Sequence, residues 1–369
     1  MTSGMQKTRL FFIDNLRVLL IVLVIAFHAG APYAGVPWYT IPSETTELSE
    51  FVLGWLLTVW VAFFLGLFFM ISGYFTPGSY DRKGSATFLK DRFLRVGVPF
   101  GFFVLVVMPS FSYFLHWLDS PGTLSYWQFL VSEYYWETHH LWFLVNLLFF
   151  AGLYVVWRGI ANPLKKLNPP GNVSIFLFVL LLAVVTFVVR IWYPVGVWDP
   201  FKLVEPAYLP HFCGLFAVGV AAYRSNWIYK VPTRVGVTWL KIGIIAVFLF
   251  PVLYVIGERK FVPFIGGAAW RPCVFAFWET FVCVGMCAGL LILFRERVAS
   301  QEKLGKVLSS NVYAVYLFHL LVVVSLQRAL ITMELHPLGK FVLVVAAGIP
   351  LSFLVSHCIR KLPLAKSIL

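Results

Sequence analysis

The sequence predicts an all-α membrane protein, and three observations support that prediction. Of its 369 residues, 60% are hydrophobic and only 12% are charged, and the mean hydropathy is +0.85, whereas soluble domains carry roughly 25% charged residues. Runs of about twenty mostly apolar residues recur along the chain, and each is long enough to cross a bilayer as a helix. Lys and Arg gather in alternate connecting segments, as they do in the cytoplasmic loops of membrane proteins.

Ten helices are predicted to cross the membrane. The segments between them are polar or rich in Pro and Gly, as in PGSYDRKGS, NPLKKLNPPGN and FRERVASQEKLGK. We expect residues 1–369 to form a single membrane-embedded domain. The predicted spans lie near residues 10–31, 51–76, 97–117, 140–157, 173–193, 207–223, 237–257, 272–294, 308–327 and 339–359.

The distribution of basic residues predicts that both termini lie in the cytoplasm. Lys7 and Arg9 precede the first span, and the next inner loop is rich in Lys and Arg. The first two outer loops contain acidic residues and no Lys or Arg. Ten spans then return the C-terminus to the side of the N-terminus. Because this topology explains the net charge of +13, no nucleic-acid partner is expected.

No metal site or disulfide framework is predicted. The five cysteines are odd in number and lie in apolar segments. The histidines fall on different spans without the paired spacing of a zinc motif.

The first span, FFIDNLRVLLIVLVIAFHAG, carries three ionisable residues. Arg17 and His28 are eleven residues apart, which is three helical turns and about 20°, so they point the same way with a rise of roughly 16 Å between them. Asp14 can pair with Arg17 at i,i+3. For Arg17 or His28 alone, a structural role in topology or packing is the better interpretation. Together, ionisable residues on one face inside the membrane indicate a functional site.

Further motifs follow along the chain. They are FFMISGYF at 68–75, RFLRVGVP with its pair Arg92 and Arg95, HLWFL at 140–144 and NVYAVYLFH at 311–319. With Asp-x-x-Arg and His in the first span, they resemble the acyltransferase 3 family of multi-pass membrane proteins over nearly the whole chain. SGYF and HLWFL make the chain most similar to a branch that succinylates glucans.

The resemblance implies a function in the cell membrane. It implies that an acyl group passes from cytoplasmic acyl-CoA, of the acetyl or succinyl type, to a hydroxyl of an extracytoplasmic acceptor such as a glycan. A polytopic transporter of a polar solute or acylated glycan is the alternative, because intramembrane charges also mark transport pathways.

The resemblance also implies roles for individual residues. His28 is expected to act as the general base, with a covalent acyl-His step as the alternative. Arg17 suits the phosphates of the donor because guanidinium binds phosphate bidentately and stays charged, and an extended pantetheine arm is comparable in length to the Arg17–His28 separation. The donor-binding set is completed by Asp14, Arg92, Arg95, Tyr316 and His319.

Three other polar or aromatic residues are candidates for the site. Glu279, in the eighth span, is a candidate catalytic partner for His28, with a tertiary hydrogen bond as the alternative. His140 and Trp142 lie at the outer end of the fourth span and are candidates for binding the acceptor. Trp142 could stack on a sugar ring, although a Trp at this level often anchors a helix in the membrane.

Overall fold

The computed structural model describes residues 9–36, 41–42, 44–162, 166–258 and 264–363. Helices account for most of these residues and no β-strand occurs among them, so the predicted all-α class is confirmed. Lys7, which contributed to the predicted orientation, lies outside the described residues.

Fourteen α-helices occur within the described ranges. They are α1 (Phe11–Gly30), α2 (Glu47–Arg92), α3 (Val98–Phe102), α4 (Met108–Asp119), α5 (Tyr126–Ser132), α6 (Trp142–Ile160), α7 (Asn172–Trp192), α8 (Leu209–Ser225), α9 (Trp227–Lys230), α10 (Thr233–Phe248), α11 (Phe250–Ile256), α12 (Trp270–Arg297), α13 (Lys303–Ala329) and α14 (Pro337–Ile359).

Eight helical segments in the described residues are long and apolar enough to cross a membrane. One of them, Glu47–Asp119, has 73 residues and contains both the second and the third predicted spans. Helix α8 corresponds to the sixth predicted span but has only 17 residues. A multi-pass membrane protein is therefore confirmed, whereas the count of ten crossings and the side of the termini stay predictions.

The connection between the second and third spans differs from the sequence prediction. We expected the chain to leave the helix at PGSYDRKGS, but α2 continues through Pro77 and bends at Gly84. Gly84 has φ 73° and ψ 169°, a conformation that glycine adopts readily because it has no Cβ. Two π-helical turns, Phe93–Gly97 and Phe103–Val107, then lead through α3 into α4. Such turns are frequent at functional sites, and the first contains Arg95.

Helix α1 lies at the centre of the bundle. It packs against α2, α12, α13 and α14, and Leu16, Leu20 and Ile25 on it are fully buried. Around it, α2 and α8 approach so closely that a Cβ at Gly219 would lie 2.1 Å from the carbonyl oxygen of Met70. Small residues permit such close packing between membrane helices. The rigid surroundings fix the direction in which α1 presents its polar side chains.

Candidate active site

A cavity of about 870 Å³ runs beside α1. Its volume is in the range of small-molecule binding sites. Arg17, Arg92 and Arg95 line one end, which we call the basic end, whereas His28, His139 and His140 line the histidine end. Of the residues predicted for the site, those that line the cavity are Arg17, His28, Arg92, Arg95, His140, Trp142 and Tyr316.

At the basic end, Arg17 is held loosely and remains accessible. Its Nη1 lies 3.6 Å from Oδ1 of Asp14, and its side chain is 35% exposed. The guanidinium carbon lies 4.9 Å from the ring centroid of Phe75. Asp14 also accepts a shorter hydrogen bond, 2.6 Å, from Nε of Arg9. Because Asp14 has a second cation, Arg17 is available for an anionic ligand.

Arg92 and Arg95 add two cations to the basic end. Within the described residues, neither guanidinium lies within ion-pair distance of a carboxylate. The guanidinium carbon of Arg92 lies 5.3 Å from the ring centroid of Phe88. The main-chain carbonyl of Arg95 accepts a 2.6 Å hydrogen bond from the hydroxyl of Tyr313, which ties the π-helical turn to α13. Such guanidinium groups are suited to phosphate, which they bind through short, charge-assisted hydrogen bonds.

At the histidine end, α13 places His319 against His28. Helix α13 continues through His319 without a break, and the His319 side chain is fully buried. Nδ1 of His319 lies 2.7 Å from the carbonyl oxygen of Tyr316 and 3.1 Å from that of Val315. Its Nε2 lies 3.0 Å from Nδ1 of His28.

These contacts determine the tautomers of two neutral rings. Carbonyl oxygens only accept, so Nδ1 of His319 carries its proton and Nε2 is an acceptor. Nδ1–H of His28 therefore donates to His319, and Nε2 of His28 carries a lone pair. That is the form of imidazole that can take a proton from a hydroxyl group.

His140 brings a third imidazole to this end. It is 6% exposed, and its ring centroid lies 5.1 Å from that of His319. Neither ring nitrogen of His140 has a hydrogen-bond partner of good geometry among the described residues, although the backbone of Leu317 is close to the ring. Buried polar groups are normally hydrogen-bonded, so a ligand in the cavity is a natural partner. Nowhere in the described residues do three or more His, Cys, Asp or Glu side chains form a group that could hold a metal ion.

The structure pairs Glu279 with Arg190, which agrees with the tertiary contact given as the alternative to a catalytic role beside His28. Oε2 of Glu279 lies 2.6 Å from Nη1 of Arg190, and both side chains are almost wholly buried. A carboxylate deep in a membrane protein needs a cation beside it, and α7 supplies Arg190. Among the described residues that line the cavity, Glu279 does not appear. The position beside His28 is occupied by His319 instead.

Several residues at the histidine end were not predicted from the sequence. Glu205 is 9% exposed, and burial raises the pKa of its carboxyl to about 7, against the opposing effects of the Gly196 N–H and Arg190. Its position two residues before the sixth predicted span was an available signal, since a carboxyl group at the end of an apolar segment can be buried. The missed cavity residues are Glu137, His139, Trp198, Lys202 and Glu205.

Gln327 is a further residue that the sequence did not single out. Its Nε2 donates to the carbonyl oxygens of His28, at 2.9 Å, and Ala29, at 3.2 Å. This amide holds the end of α1 against α13, and it thereby fixes the height of His28 relative to His319.

Comparison with known proteins identifies the family of this chain. A family model described as an acyltransferase domain matches residues 10–357. The chain therefore belongs to the acyltransferase 3 family and is a multi-pass membrane acyltransferase, as its motifs predicted. This membership favours acyl transfer over the alternative of a transporter.

The chain is also similar to curated proteins named Glucans biosynthesis protein C. The protein from Escherichia coli strain K12 is 27% identical over 305 residues, which are 76% of this chain and 72% of the relative. The proteins from E. coli O139:H28 (strain E24377A / ETEC) and E. coli O1:K1 / APEC match with the same identity and coverage. No solved structure matches the chain significantly.

Proposed function

We propose that this protein transfers an acyl group from acyl-CoA to a hydroxyl group of a glycan. The observation that carries the proposal is a single cavity lined by three arginines and by His28, whose Nδ1 lies 3.0 Å from Nε2 of His319. The glycan is suggested by the name of the relatives, which refers to glucans, and by the aromatic residues at the histidine end.

The basic end suits the phosphates of the donor. Arg17, Arg92 and Arg95 come from α1, α2 and the π-helical turn that follows α2, and they surround one space with positive charge. The rise from Arg17 to His28 is roughly 16 Å along α1, comparable with an extended pantetheine arm. A donor held by its phosphates at the basic end would therefore present its thioester carbonyl near His28.

The chemical step then needs one base and one positioned pair of reactants. The acceptor hydroxyl oxygen attacks the thioester carbonyl carbon while Nε2 of His28 takes its proton. The tetrahedral intermediate collapses, the carbon–sulfur bond breaks, and the proton on His28 passes to the departing CoA thiolate. An ester and free CoA are formed, and no external oxidant or metal is consumed. Holding both reactants in one cavity supplies the proximity that speeds such a transfer.

The predicted orientation supports the direction of transfer. Arg92 and Arg95 belong to the basic segment predicted to face the cytoplasm, where acyl-CoA is made. The histidine end lies at the other end of α1, which supports an acceptor on the opposite side of the membrane.

The test is a transfer assay in lipid vesicles that contain the purified protein. Acetyl-CoA or succinyl-CoA is supplied on one side and glucan oligosaccharides on the other. We expect release of the CoA thiol that depends on both substrates, together with glucan whose mass increases by one acyl group. Absence of acylated glucan with either donor would contradict the proposal.

A further inference from the structure

The connection between α7 and α8, residues 193–208, has an ordered structure that the acyl-transfer step itself does not require. We propose that this segment and a smaller adjoining cavity form a cleft for an uncharged linear glycan, with one sugar ring against Trp198 and the next ring in the smaller cavity. The inference rests on the proposed function and specifies how the acceptor is bound.

The segment is organised by its own hydrogen bonds. Asp199 accepts from the main-chain N–H groups of Phe201, at 2.9 Å, and Leu203, at 2.6 Å. Two side chains attach it to the region around the start of α6. The hydroxyl of Thr138 donates to the carbonyl oxygen of Lys202, at 2.5 Å, and Asn146 donates to that of Leu203, at 2.8 Å. A surface fixed before binding loses less entropy when a ligand arrives.

Two tryptophans provide the walls of the proposed cleft. Trp198 and Trp142 both line the cavity, and their ring centroids are 5.5 Å apart with an interplanar angle of 73°. Trp142 is itself supported by Phe212, at 6.0 Å in a stacked arrangement. The C–H face of a pyranose ring is apolar and packs against such rings, which offer a large rigid contact area.

Glu205 supplies an acceptor for sugar hydroxyls. Its Oε1 accepts the main-chain N–H of Gly196 at 2.6 Å. Among the hydrogen bonds of the described residues, none engages Oε2 of Glu205. A carboxylate that is fixed through one oxygen and lines a cavity is well placed to accept a hydroxyl through the other.

The charges at this end indicate that the acceptor is uncharged. Two carboxylates, Glu137 and Glu205, face the cavity here, whereas Lys202 is the one Lys or Arg among the described lining residues at this end. Arg190 lies near Glu205 but is paired with Glu279. An acidic polymer would meet Glu137 and, above about pH 7, the ionised Glu205, whereas neutral hydroxyls find acceptors at any pH.

A second cavity of about 260 Å³ adjoins this region. Glu137 and His139 line both cavities and form the wall between them. The wall is stabilised because Nδ1 of His139 lies 3.2 Å from Oε1 of Glu137, and Tyr134 lies 3.3 Å from the other ring nitrogen. Tyr135, which is 86% exposed, also lines the smaller cavity. Two adjacent cavities that are lined by aromatic residues and share a polar wall fit consecutive sugar rings of one glycan.

The experiment measures binding without an acyl donor. The purified protein in lipid nanodiscs is titrated calorimetrically with glucose and with linear glucose disaccharides and trisaccharides, in α- and β-linked forms. We expect affinity to rise roughly tenfold from one ring to two, the scale of one aromatic contact. Trp198→Ala should lower affinity for every length by a similar factor, and Tyr135→Ala should remove only the gain from the second ring. The matched control is Trp192→Ala, which changes an exposed Trp outside both cavities.

Two outcomes would overturn the proposal that this region is a glycan-binding cleft. One is equal affinity, or no saturable binding, across the whole oligosaccharide series. The other is unchanged binding in Trp198→Ala and in Glu205→Gln, a second variant that keeps the oxygen facing Gly196. These outcomes differ from failure of the proposed function, because a protein that binds glucan oligomers and never acylates them would refute acyl transfer while leaving the cleft intact.

Discussion

Nε2 of His319 lies 3.0 Å from Nδ1 of His28, while Nδ1 of His319 faces two carbonyl oxygens of its own helix. The backbone of α13 thus determines which nitrogen of His28 carries the proton. His319 is buried and acts through His28, so it is a positioning residue rather than a reacting group. The sequence predicted a donor-binding role for His319, but His319 is not among the described residues that line the cavity. We therefore expect its substitution to affect the chemical step and not donor binding.

We predict that His319→Leu lowers kcat roughly 10- to 100-fold with acyl-CoA affinity unchanged, an effect of the size seen when a metal-ligating histidine loses the hydrogen-bond partner that orients it. His319→Gln should retain more activity, since its amide oxygen can still accept from His28. Turnover and calorimetric donor binding are the measurements, with His357→Ala as a control histidine outside the cavity. Equal activity in the Leu and Gln variants would contradict the positioning role.

We predict that Arg92→Ala and Arg95→Ala each weaken acyl-CoA binding roughly 10- to 100-fold, the scale of a hydrogen bond to a charged group. Both side chains line the cavity and neither is needed for an ion pair within the described structure. Arg82→Ala is the matched control, because Arg82 is an exposed arginine of α2, the helix that also carries Arg92. If both variants bind acyl-CoA with normal affinity, the two arginines have no role in donor binding.

Arg17→Ala should reduce donor affinity and yet leave the folded yield nearly intact. Asp14 keeps its 2.6 Å contact with Arg9, so its charge is not left unpaired. The combined change of Arg9→Ala and Arg17→Ala should lower the folded yield strongly. Size-exclusion profiles and thermal unfolding of these two variants and of the unchanged protein measure this. A large loss of folded protein in Arg17→Ala alone would contradict the view that Arg9 is sufficient to neutralise Asp14.

Glucan binding should weaken as the pH falls below about 7. Burial raises the pKa of Glu205 to about 7, so its carboxyl gains a proton below that pH and becomes a poorer acceptor. The groups facing it are the N–H of Gly196 and the side chains of Arg190, Glu279 and Lys202. Calorimetry on both sides of pH 7 should show the decrease in the native protein and not in Glu205→Gln. A pH dependence that survives in Glu205→Gln would assign it to another group.

Helical periodicity was sufficient to predict the shared face of Arg17 and His28, because one helix fixes both directions. The residues of other helices that contact this face could not be predicted in the same way. Whether Glu279 contacts His28 or Arg190 depends on which helices pack together. The sequence of a single apolar span does not show which other spans it contacts. The extension of α2 past Pro77 was not predicted, because a membrane helix tolerates Pro. The helix bends at Gly84 instead.

The aperiodic segment 193–208 was equally hard to predict. The positions of Trp198 and Glu205 depend on hydrogen bonds to Asp199 and Gly196, and such turns leave no repeating pattern. Composition therefore predicted the membrane class, and motifs predicted the basic end. His140 and Trp142 were also predicted from the sequence, whereas Trp198 and Glu205 of the proposed cleft emerged only from the packed structure.

The central claim is that Nε2 of His28 takes the proton from the acceptor hydroxyl. The most direct measurement compares turnover and acyl-CoA affinity in folded His28→Ala with the unchanged protein. General-base catalysis contributes about 10²–10⁴-fold, so we predict a turnover loss of at least that range with donor affinity preserved. A folded His28→Ala protein that acylates glucan at a near-normal rate would contradict the account.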